Sequence, residues 1–361
     1  MGGEFFYAIM HKIYMKGTLT VSNDEAIIRT ANSEQRTANS HNSALKILVC
    51  YHKPYTIPPL DDGVLLPIQC GKALTDTDLH MQADNEVNGQ PCDNISSKNL
   101  SYSELTALYW AWKNLKKLYP DVKYVGLCHY RRFFAFDQKK FFDPDIFQSE
   151  NDILKYRLDT GKIFRILESG SSILVKKYAF AYTVALHYCM CHVSSNYRTL
   201  KNIIREKYPE YFDAFIDVMD RNNKFFARNM FIMKYEEFEK YCEWLFSVLS
   251  DVDERIEYQH YGTYQMRVPA FMAERLFNVY VHKHKMKAKY LNIYYYGDGT
   301  EPTKPLKRFL SCVHRFFIAG KYNLAMFILN LSFRPFRKLF KKSPRSPKAS
   351  RGILSARNTA H

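Results

Sequence analysis

The sequence predicts an α/β protein in which strands and helices alternate along the chain. Apolar runs at 44–51 (ALKILVCY) and 123–128 (KYVGLC) have the length and composition of buried strands, and the stretch between them has an amphipathic helical spacing. Such alternation favours a sheet with helices on its faces. Hydrophobic residues make up 47% of the chain and aromatic residues 16%, which is typical of a folded core rather than a disordered chain.

Three segments are expected along the 361 residues. Residues 1–43 form a flexible or peripheral N-terminal extension, because 30–43 is rich in Ala, Asn, Ser and Thr without a periodic apolar face. Residues 44–300 form the α/β domain, and residues 301–361 form a basic, helical C-terminal tail.

The first elements follow from local patterns. The strand over Ala44–Tyr51 ends directly before His52. Ser101 and Glu104 have the spacing of a capping box and predict the start of a helix, which Pro120 ends. The apolar face of this helix comprises Leu105, Leu108, Trp112 and Leu115.

Lys123–Cys128 predicts the next strand, which ends before His129. The remaining predictions are a strand at 171–175, helical structure over 178–206 with a break near 194–196, a helix from Pro209 to about Met219, a strand at 229–234, a helix at 236–249, a helix at 265–284 and a final aromatic strand at 289–296.

Charge is distributed unevenly. Of the 52 Lys and Arg residues, 14 lie in 302–361, which contains no Asp or Glu, so the rest of the chain has 38 basic and 36 acidic residues. A nearly neutral body argues against nucleic-acid binding by the whole protein. Basic residues interleaved with apolar ones in the tail predict association with an anionic membrane surface, the alternative being a packing helix and a solvated end.

The eight scattered cysteines suggest reduced, mostly buried thiols in a cytoplasmic protein. His187 and Cys191 share a helix face, but no further ligands accompany them, so ordinary helix packing is favoured over a metal site. No apolar run is long enough for a transmembrane helix, and Lys12 and Lys16 interrupt any signal-peptide core. We expect a cytoplasmic protein held peripherally at the inner face of the plasma membrane.

Two dense runs of polar and aromatic residues lie at predicted element ends: DNISSKNLSYSELTALYWAWKN (93–114) and YVGLCHYRRFF (124–134). They closely resemble a bacterial family of capsular polysaccharide and lipopolysaccharide synthesis proteins, which are GT-A-like glycosyltransferases associated with galactofuranosyl transfer. The resemblance covers roughly residues 45–295. It continues through HKPY (52–55), PIQCG (67–71), NMFI (229–232), YCEWLF (241–246) and AERL (273–276).

This resemblance implies a GT-A-like mixed sheet flanked by helices. It also implies transfer of a hexosyl residue, with galactofuranose as one candidate, from a UDP-sugar donor to a surface polysaccharide or lipid-linked oligosaccharide acceptor. The sugar, the acceptor and the linkage stay open. The alternatives are a non-catalytic glycan-binding protein and a basic nucleic-acid-binding protein, although no specific nucleic acid is expected.

Donor-binding candidates are polar residues at or near predicted strand ends, where α/β proteins bind ligands. Guanidinium groups donate paired, permanently charged hydrogen bonds to phosphate oxygens, so Arg131 and Arg132 are candidates to replace a divalent cation at the diphosphate. No cofactor is then required, although metal dependence stays open. The predicted donor-binding residues are His52, Lys53, Asp93, Asn94, Lys98, His129, Tyr130, Arg131 and Arg132.

Each of these candidates has an ordinary structural alternative. Asp93 and Asn94 are also suited to capping a turn, Lys98 to an exposed position, and one of the two arginines to an ion pair. If the strand continued beyond His129, alternate side chains of 129–132 would point to opposite faces. Asp-x-Asp tripeptides, which hold a cation in many GT-A enzymes, begin at Asp76, Asp143 and Asp251, but none directly follows an apolar strand.

An inverting transfer needs a general base, usually a carboxylate. Glu274 is the first candidate, because it interrupts an apolar helix face; the alternative is an ion pair with Arg275 or Arg267. Asp93 and Glu104 are further candidates, Glu104 being the weaker because the capping box already explains it. The aromatic residues Tyr109, Trp110 and Trp112 are candidates for a pocket floor, with core packing assigned to Trp112 rather than Trp110.

Overall fold

The computed structural model describes residues 43–60, 63–139 and 144–297. The strands in these residues are β1 (Leu45–Tyr51), β2 (Leu65–Gln69), β3 (Gln82–Ala83), β4 (Glu86–Val87), β5 (Gln90–Pro91), β6 (Tyr124–His129), β7 (Arg132–Phe134), β8 (Asp145–Ser149), β9 (Ser172–Val175), β10 (Tyr178–Ala179), β11 (Lys224–Phe225), β12 (Phe231–Lys234), β13 (Ala288–Leu291) and β14 (Ile293–Gly297). The α-helices are α1 (Asn99–Tyr102), α2 (Leu105–Leu118), α3 (Thr160–Glu168), α4 (Val184–Cys191), α5 (Ser194–Lys207), α6 (Pro209–Met219), α7 (Tyr235–Arg255) and α8 (Val268–Lys283).

Within the described ranges, ten strands form one mixed sheet, whose main path runs β13-β9-β12-β6-β1-β2-β3. Strand β1 pairs in parallel with β2 and β6, whereas β12 runs antiparallel to β6 and β9. Every residue of β1 is buried, as expected for a strand covered on both faces. The predicted α/β class and the mixed sheet flanked by helices are confirmed.

Strands β7, β8 and β14 branch from this path. His129 at the end of β6 pairs antiparallel with Arg132 at the start of β7, so the chain reverses at Tyr130 and Arg131. Strand β14 then pairs with both β7 and β8. Because the strand does not continue beyond His129, the alternation of side-chain directions considered for 129–132 does not apply.

Helix α2 begins and ends close to the predicted positions, but the predicted capping box is wrong. Ser101 lies inside the short helix α1, and no side chain caps the start of α2. The two helices are separated by Ser103 and Glu104, and Ser103 has a positive φ of 49°.

The prediction that Trp112 packs in the core in preference to Trp110 is also wrong. Trp110 is fully buried, and its Nε1 donates a hydrogen bond to the carbonyl of Glu86 at 2.8 Å. Trp112 is half-buried and stacks on Phe246 at 5.7 Å between ring centroids.

The later elements agree with prediction apart from their bounds. The helical region predicted for 178–206 begins at Val184, divides into α4 and α5, and α6 begins at Pro209. The final aromatic strand is instead two strands, β13 and β14, separated at Asn292. The tail predicted for 301–361, and the N-terminal extension except Ser43, lie outside the described residues, so the three-part division stays a prediction. Among the residues described, no helix has the length and apolarity to cross a membrane.

Candidate functional site

A cleft of about 830 Å³ opens at one edge of the main sheet. Three strand ends meet there because of their directions: His52 follows β1, Tyr130 follows the parallel β6, and Arg228 lies shortly before the antiparallel β12. One carboxylate comes from Glu104, directly before α2, and the other from Glu274 on α8. The sequence-predicted residues that line the cleft are His52, Glu104, His129, Tyr130, Arg131, Arg132 and Glu274.

The two predicted lysines do not line this cleft. Lys53 is exposed, and its Nζ lies 5.9 Å from the ring centroid of Tyr130, so it is near the rim. Lys98 forms an ion pair with Asp253 at 2.9 Å. Lys98 is therefore paired with a residue of α7 and does not line the cleft.

Asp93 and Asn94 also lie outside the cleft lining. The carboxylate of Asp93 accepts a hydrogen bond from the hydroxyl of Tyr109 at 3.1 Å. Asn94 donates to the carbonyl of Cys92 at 2.7 Å and accepts from the backbone N–H of Ser96 at 3.0 Å. These are the turn-stabilising bonds that the sequence offered as the alternative for Asn94.

Arg131 and Arg132 present positive charge to the cleft. Their guanidinium carbons lie 5.1 and 5.0 Å from the ring centroid of Tyr295, and both Nε atoms are buried without a hydrogen-bond partner in the described part of the chain. Neither guanidinium has a carboxylate within ion-pair distance among these residues. Burial and the charge of Arg228 lower the pKa of Arg132, although the guanidinium remains a cation.

Arg228 is fixed in an unusual backbone conformation. Its φ is 80°, and the next residue, Asn229, has a φ of 43°. Its guanidinium donates to both carboxylate oxygens of Asp145, at 2.6 and 2.8 Å. Burial acts to lower the pKa of Arg228, but the hydrogen bonds to Asp145 and the neighbouring Tyr178 raise it above its ordinary value.

The two carboxylates of the cleft are held by consecutive residues. The backbone N–H of Arg228 donates to Oε1 of Glu274 at 2.9 Å, and Nδ2 of Asn229 donates to Oε1 of Glu104 at 2.9 Å. Oε2 of Glu274 accepts from Arg275 at 2.8 Å, which is the ion pair considered as the alternative for Glu274. Within the described residues, Glu104 has no further hydrogen-bond partner, so one of its oxygens remains open.

His129 also holds the backbone of Arg228. It is buried, and its Nε2 lies 2.8 Å from the carbonyl oxygen of Arg228, to which it donates as the neutral tautomer. Burial and the charge of Arg132 lower the pKa of His129 to about 3. Its contribution near neutral pH is therefore to hold the Arg228 backbone rather than to carry charge.

Another part of the cleft lining is aromatic. The ring of His192 stacks on that of Phe271, with 3.9 Å between the centroids, and the centroid of Tyr264 lies 6.1 Å from that of His192. The ring centroids of Phe180 and His187, in the same lining, lie 4.3 Å apart. Burial and a neighbouring guanidinium lower the pKa values of His187 and His192 to about 4, so both rings are neutral near neutral pH.

The candidate cation ligands are dispersed. Asp76 and Asp78 are exposed outside the cleft, Asp145 is bound by Arg228, and Asp251 accepts hydrogen bonds from Lys207 and Tyr208. Cys191 Sγ lies 3.9 Å from a ring nitrogen of His187, its neighbour on the same helix face. No group of three or more His, Cys, Asp or Glu side chains with metal-binding geometry occurs in the described ranges.

Sequence reasoning missed Arg228 and Tyr264 as cleft residues and Asn229 as the donor to Glu104, and it named Arg267 and Arg275 only as ion-pair partners. The signal for Arg228 and Asn229 was present, since a polar Arg-Asn pair lies just before a buried strand. It marks the site only once β12 is known to run antiparallel to β6, which places the start of β12 at the cleft edge.

Comparisons with known proteins agree with this architecture. The structure is similar to the apo structure of WbbM, a bifunctional glycosyltransferase, with a TM-score of 0.60 and 29% sequence identity. The similarity covers 73% of this chain and 48% of the WbbM chain, so this chain spans about half the length of that protein. No curated protein matches. A family model described as a domain of unknown function, DUF4422, matches residues 46–285, and the chain therefore belongs to the DUF4422 family.

Proposed function

We propose that this protein is a glycosyltransferase that transfers a hexosyl residue from a UDP-sugar to a glycan acceptor. The observation that carries the proposal is the pair Arg131 and Arg132, which faces the same cleft as Glu104 and Glu274 without a carboxylate partner in the described residues. The similarity to a bifunctional glycosyltransferase supports the same class of reaction. The proposal concerns this chain, which covers about half of that protein.

The donor diphosphate belongs at the arginine end of the cleft. Glycosyl transfer breaks the bond between the anomeric carbon and the diphosphate, and the departing UDP takes the electron pair. Two guanidinium groups held at the edge of the sheet stabilise that developing charge, and their planar geometry suits phosphate oxygens. We propose that they supply this stabilisation without a divalent cation.

Glu104 is the better candidate for the general base. It has an open carboxylate oxygen in the described part of the chain, whereas both oxygens of Glu274 already accept hydrogen bonds, from Arg228 and Arg275. In a single displacement, the acceptor hydroxyl attacks the anomeric carbon and its proton passes to the base. Glu274 then acts as a positioning residue that fixes the Arg228 backbone.

The finer features of the proposal come from the sequence resemblance. They are a UDP-sugar that includes galactofuranose among its candidates, a surface polysaccharide or lipid-linked oligosaccharide acceptor, an inverting reaction and attraction of residues 301–361 to an anionic membrane surface. The cleft arrangement is compatible with the first two, since it combines a cationic end with an aromatic one.

Calorimetric titration of the full-length protein tests the proposal. The panel is UDP, UDP-galactofuranose, UDP-galactopyranose, UDP-glucose, one GDP-sugar and one CMP-sugar, each with and without EDTA. We expect selective UDP-sugar binding that survives chelation and falls in Arg131→Ala and Arg132→Ala. Arg198→Ala is the matched control, because Arg198 is exposed on α5 outside the cleft.

The other outcomes separate the alternatives. Strict cation dependence contradicts the metal-independent mechanism while leaving a transferase in place. Binding of a UDP-sugar without turnover on any glycan acceptor favours a non-catalytic binding protein. Absence of binding to every nucleotide sugar contradicts the proposed function.

A further inference from the structure

The cleft lining contains two chemically different groups of residues. In the first, His52, Tyr130 and Arg131 follow the parallel strands β1 and β6. In the second, residues around β10, α4 and the start of α8 form a surface that we name the aromatic wall. The aromatic wall consists of Phe180, His187, His192, Tyr264 and Phe271.

The aromatic wall is an uncharged stacking surface near neutral pH. Its two histidines are held neutral by burial and by the nearby Arg275. Tyr264 is 59% exposed although it stacks near His192 and Phe271, so part of the ring faces open space at the cleft mouth. An exposed aromatic ring supported from behind by other rings is a preformed platform for a flat, partly apolar ligand.

A sugar ring has this character, because one face presents C–H groups while the rim carries hydroxyls. The π face of an aromatic ring attracts such C–H groups, and nearby polar side chains bind the hydroxyls. Arg267 lines the cleft beside the aromatic wall and offers a donor, and Glu104 lines the same cleft with an open carboxylate oxygen that offers an acceptor. The combination is suited to a neutral glycan rather than to a phosphate.

We infer that the aromatic wall binds a sugar ring of the acceptor glycan, with Tyr264 as its exposed stacking platform. The inference rests on the proposed function, which places the UDP moiety at Arg131 and Arg132. The nucleotide-binding residues follow the parallel strands, the usual nucleotide position in open α/β sheets, and leave the aromatic wall for the second substrate. Glu104, the proposed base for the acceptor hydroxyl, lines the same cleft.

Saturation-transfer NMR on the full-length protein tests this assignment. The probes are UDP together with the methyl glycosides of galactofuranose, galactopyranose and glucose. We expect ring-proton signals from at least one glycoside with the unmodified protein. In Tyr264→Ala these signals should fall roughly fivefold or more, the loss expected for one aromatic stacking contact, while the uracil signals of UDP stay unchanged.

Two further variants sharpen the test. Tyr264→Phe keeps the ring and should retain the glycoside signals. Tyr290→Ala is the control, since Tyr290 is an exposed tyrosine of β13 outside the cleft lining, and it should leave all signals unchanged. Because Tyr264 is largely exposed, its truncation should leave the melting temperature unchanged.

The two proposals fail in different ways. If the uracil signals fall in Tyr264→Ala, the aromatic wall binds the nucleotide and the inference is overturned. Unchanged glycoside signals in Tyr264→Ala, or no glycoside signal from the unmodified protein, overturn it as well. If the unmodified protein does not bind UDP, the proposed function is overturned. If it then still binds a glycoside, it is a glycan-binding protein.

Discussion

Asn229 donates a hydrogen bond from Nδ2 to Oε1 of Glu104 at 2.9 Å, from a backbone position with a φ of 43°. The preceding Arg228 is also left-handed, with a φ of 80°. Non-glycine residues adopt this conformation at a cost in free energy, and such strain concentrates at functional sites. Here the two consecutive residues each direct a hydrogen-bond donor at one cleft carboxylate, Glu104 or Glu274.

Replacing Asn229 by Ala should therefore reduce turnover while leaving donor binding intact. Without the amide donor, Glu104 loses the hydrogen bond that orients it. We expect kcat to fall roughly 10- to 100-fold, as for loss of a group that positions a general base. Steady-state kinetics, with the dissociation constant of UDP-sugar measured alongside, provide the check.

Asn202→Ala on α5 is the control for this experiment, because Asn202 lies outside the cleft and bonds only Arg205 through its side chain among the described residues. An unchanged kcat in Asn229→Ala would show that Glu104 is not the base, or that it needs no help from Asn229.

Trp110→Ala should destabilise the protein far more than Trp112→Ala. Trp110 is fully buried and donates to the carbonyl of Glu86, so its removal leaves a cavity and removes one of the two hydrogen bonds that this carbonyl accepts, the other coming from Gln82. We expect a loss of roughly 3–5 kcal/mol in the free energy of unfolding. Trp112 is half-buried against Phe246, and its loss should cost about 1 kcal/mol. Urea denaturation followed by circular dichroism measures both.

If Trp110→Ala does not fold, Trp110→Phe keeps most of the volume and should lose roughly 1–3 kcal/mol, through the lost hydrogen bond to the Glu86 carbonyl and the residual space. Equal losses for the Trp110 and Trp112 variants would contradict the packing seen here.

The contrast between these tryptophans shows what periodicity predicts well. The strands β1 and β6 and the start of α6 at Pro209 all follow from apolar runs and proline placement, which depend on neighbours in the chain. Both tryptophans lie on a correctly predicted helix, but which one is buried depends on contacts with β4 and α7, distant in sequence. An apolar face in the sequence does not show whether neighbouring elements also cover the other sides of the helix.

The cleft residues show the same limit of prediction from the sequence. The parallel strand ends placed His52 and Arg131 correctly at one edge, because both follow apolar runs. Arg228 reaches that edge only through the antiparallel direction of β12, and its ion pair joins residues 83 positions apart. Lys98 and Asp93 resemble site residues in the sequence, yet each meets a partner elsewhere.

Asp145→Asn should destabilise the fold around Arg228. Asp145 is buried and accepts both guanidinium bonds, while the Arg228 side chain is only 19% exposed. Removing one partner of such a pair leaves a poorly solvated charge, and we expect a loss of roughly 3 kcal/mol in the free energy of unfolding, the lower end for buried pairs. Thermal and urea unfolding test this.

The exposed ion pair between Asp217 and Arg221 is a matched control, and Asp217→Asn should cost less than about 0.5 kcal/mol. The double variant Asp145→Leu with Arg228→Met should recover part of the stability lost in Asp145→Asn, since no unpaired charge remains. A loss in Asp145→Asn as small as that of the control would mean that solvent or another group satisfies Arg228.

The buried His129 predicts a specific loss of stability in acid. Its folded-state pKa is about 3, below the ordinary value of 6.5, because of burial and the charge of Arg132. Above pH 6.5 the ring is neutral in both the folded and the unfolded chain, so stability is full. As the pH falls from 6.5 towards 3, only the unfolded chain takes up the proton, and stability is lost. Between pH 7.5 and pH 5 this amounts to roughly 2 kcal/mol.

His187 and His192, with pKa values of about 4, act in the same direction, so the variant must isolate His129. His129→Gln keeps an amide donor for the Arg228 carbonyl and does not titrate. Urea unfolding at several pH values should therefore show a loss between pH 7.5 and pH 5 that is roughly 2 kcal/mol smaller than in the unmodified protein. His260→Gln, at an exposed position, should leave the pH dependence unchanged. If His129→Gln loses as much stability between pH 7.5 and pH 5 as the unmodified protein, His129 is solvated or paired in the folded protein. Its bond to Arg228 then does not depend on a neutral ring.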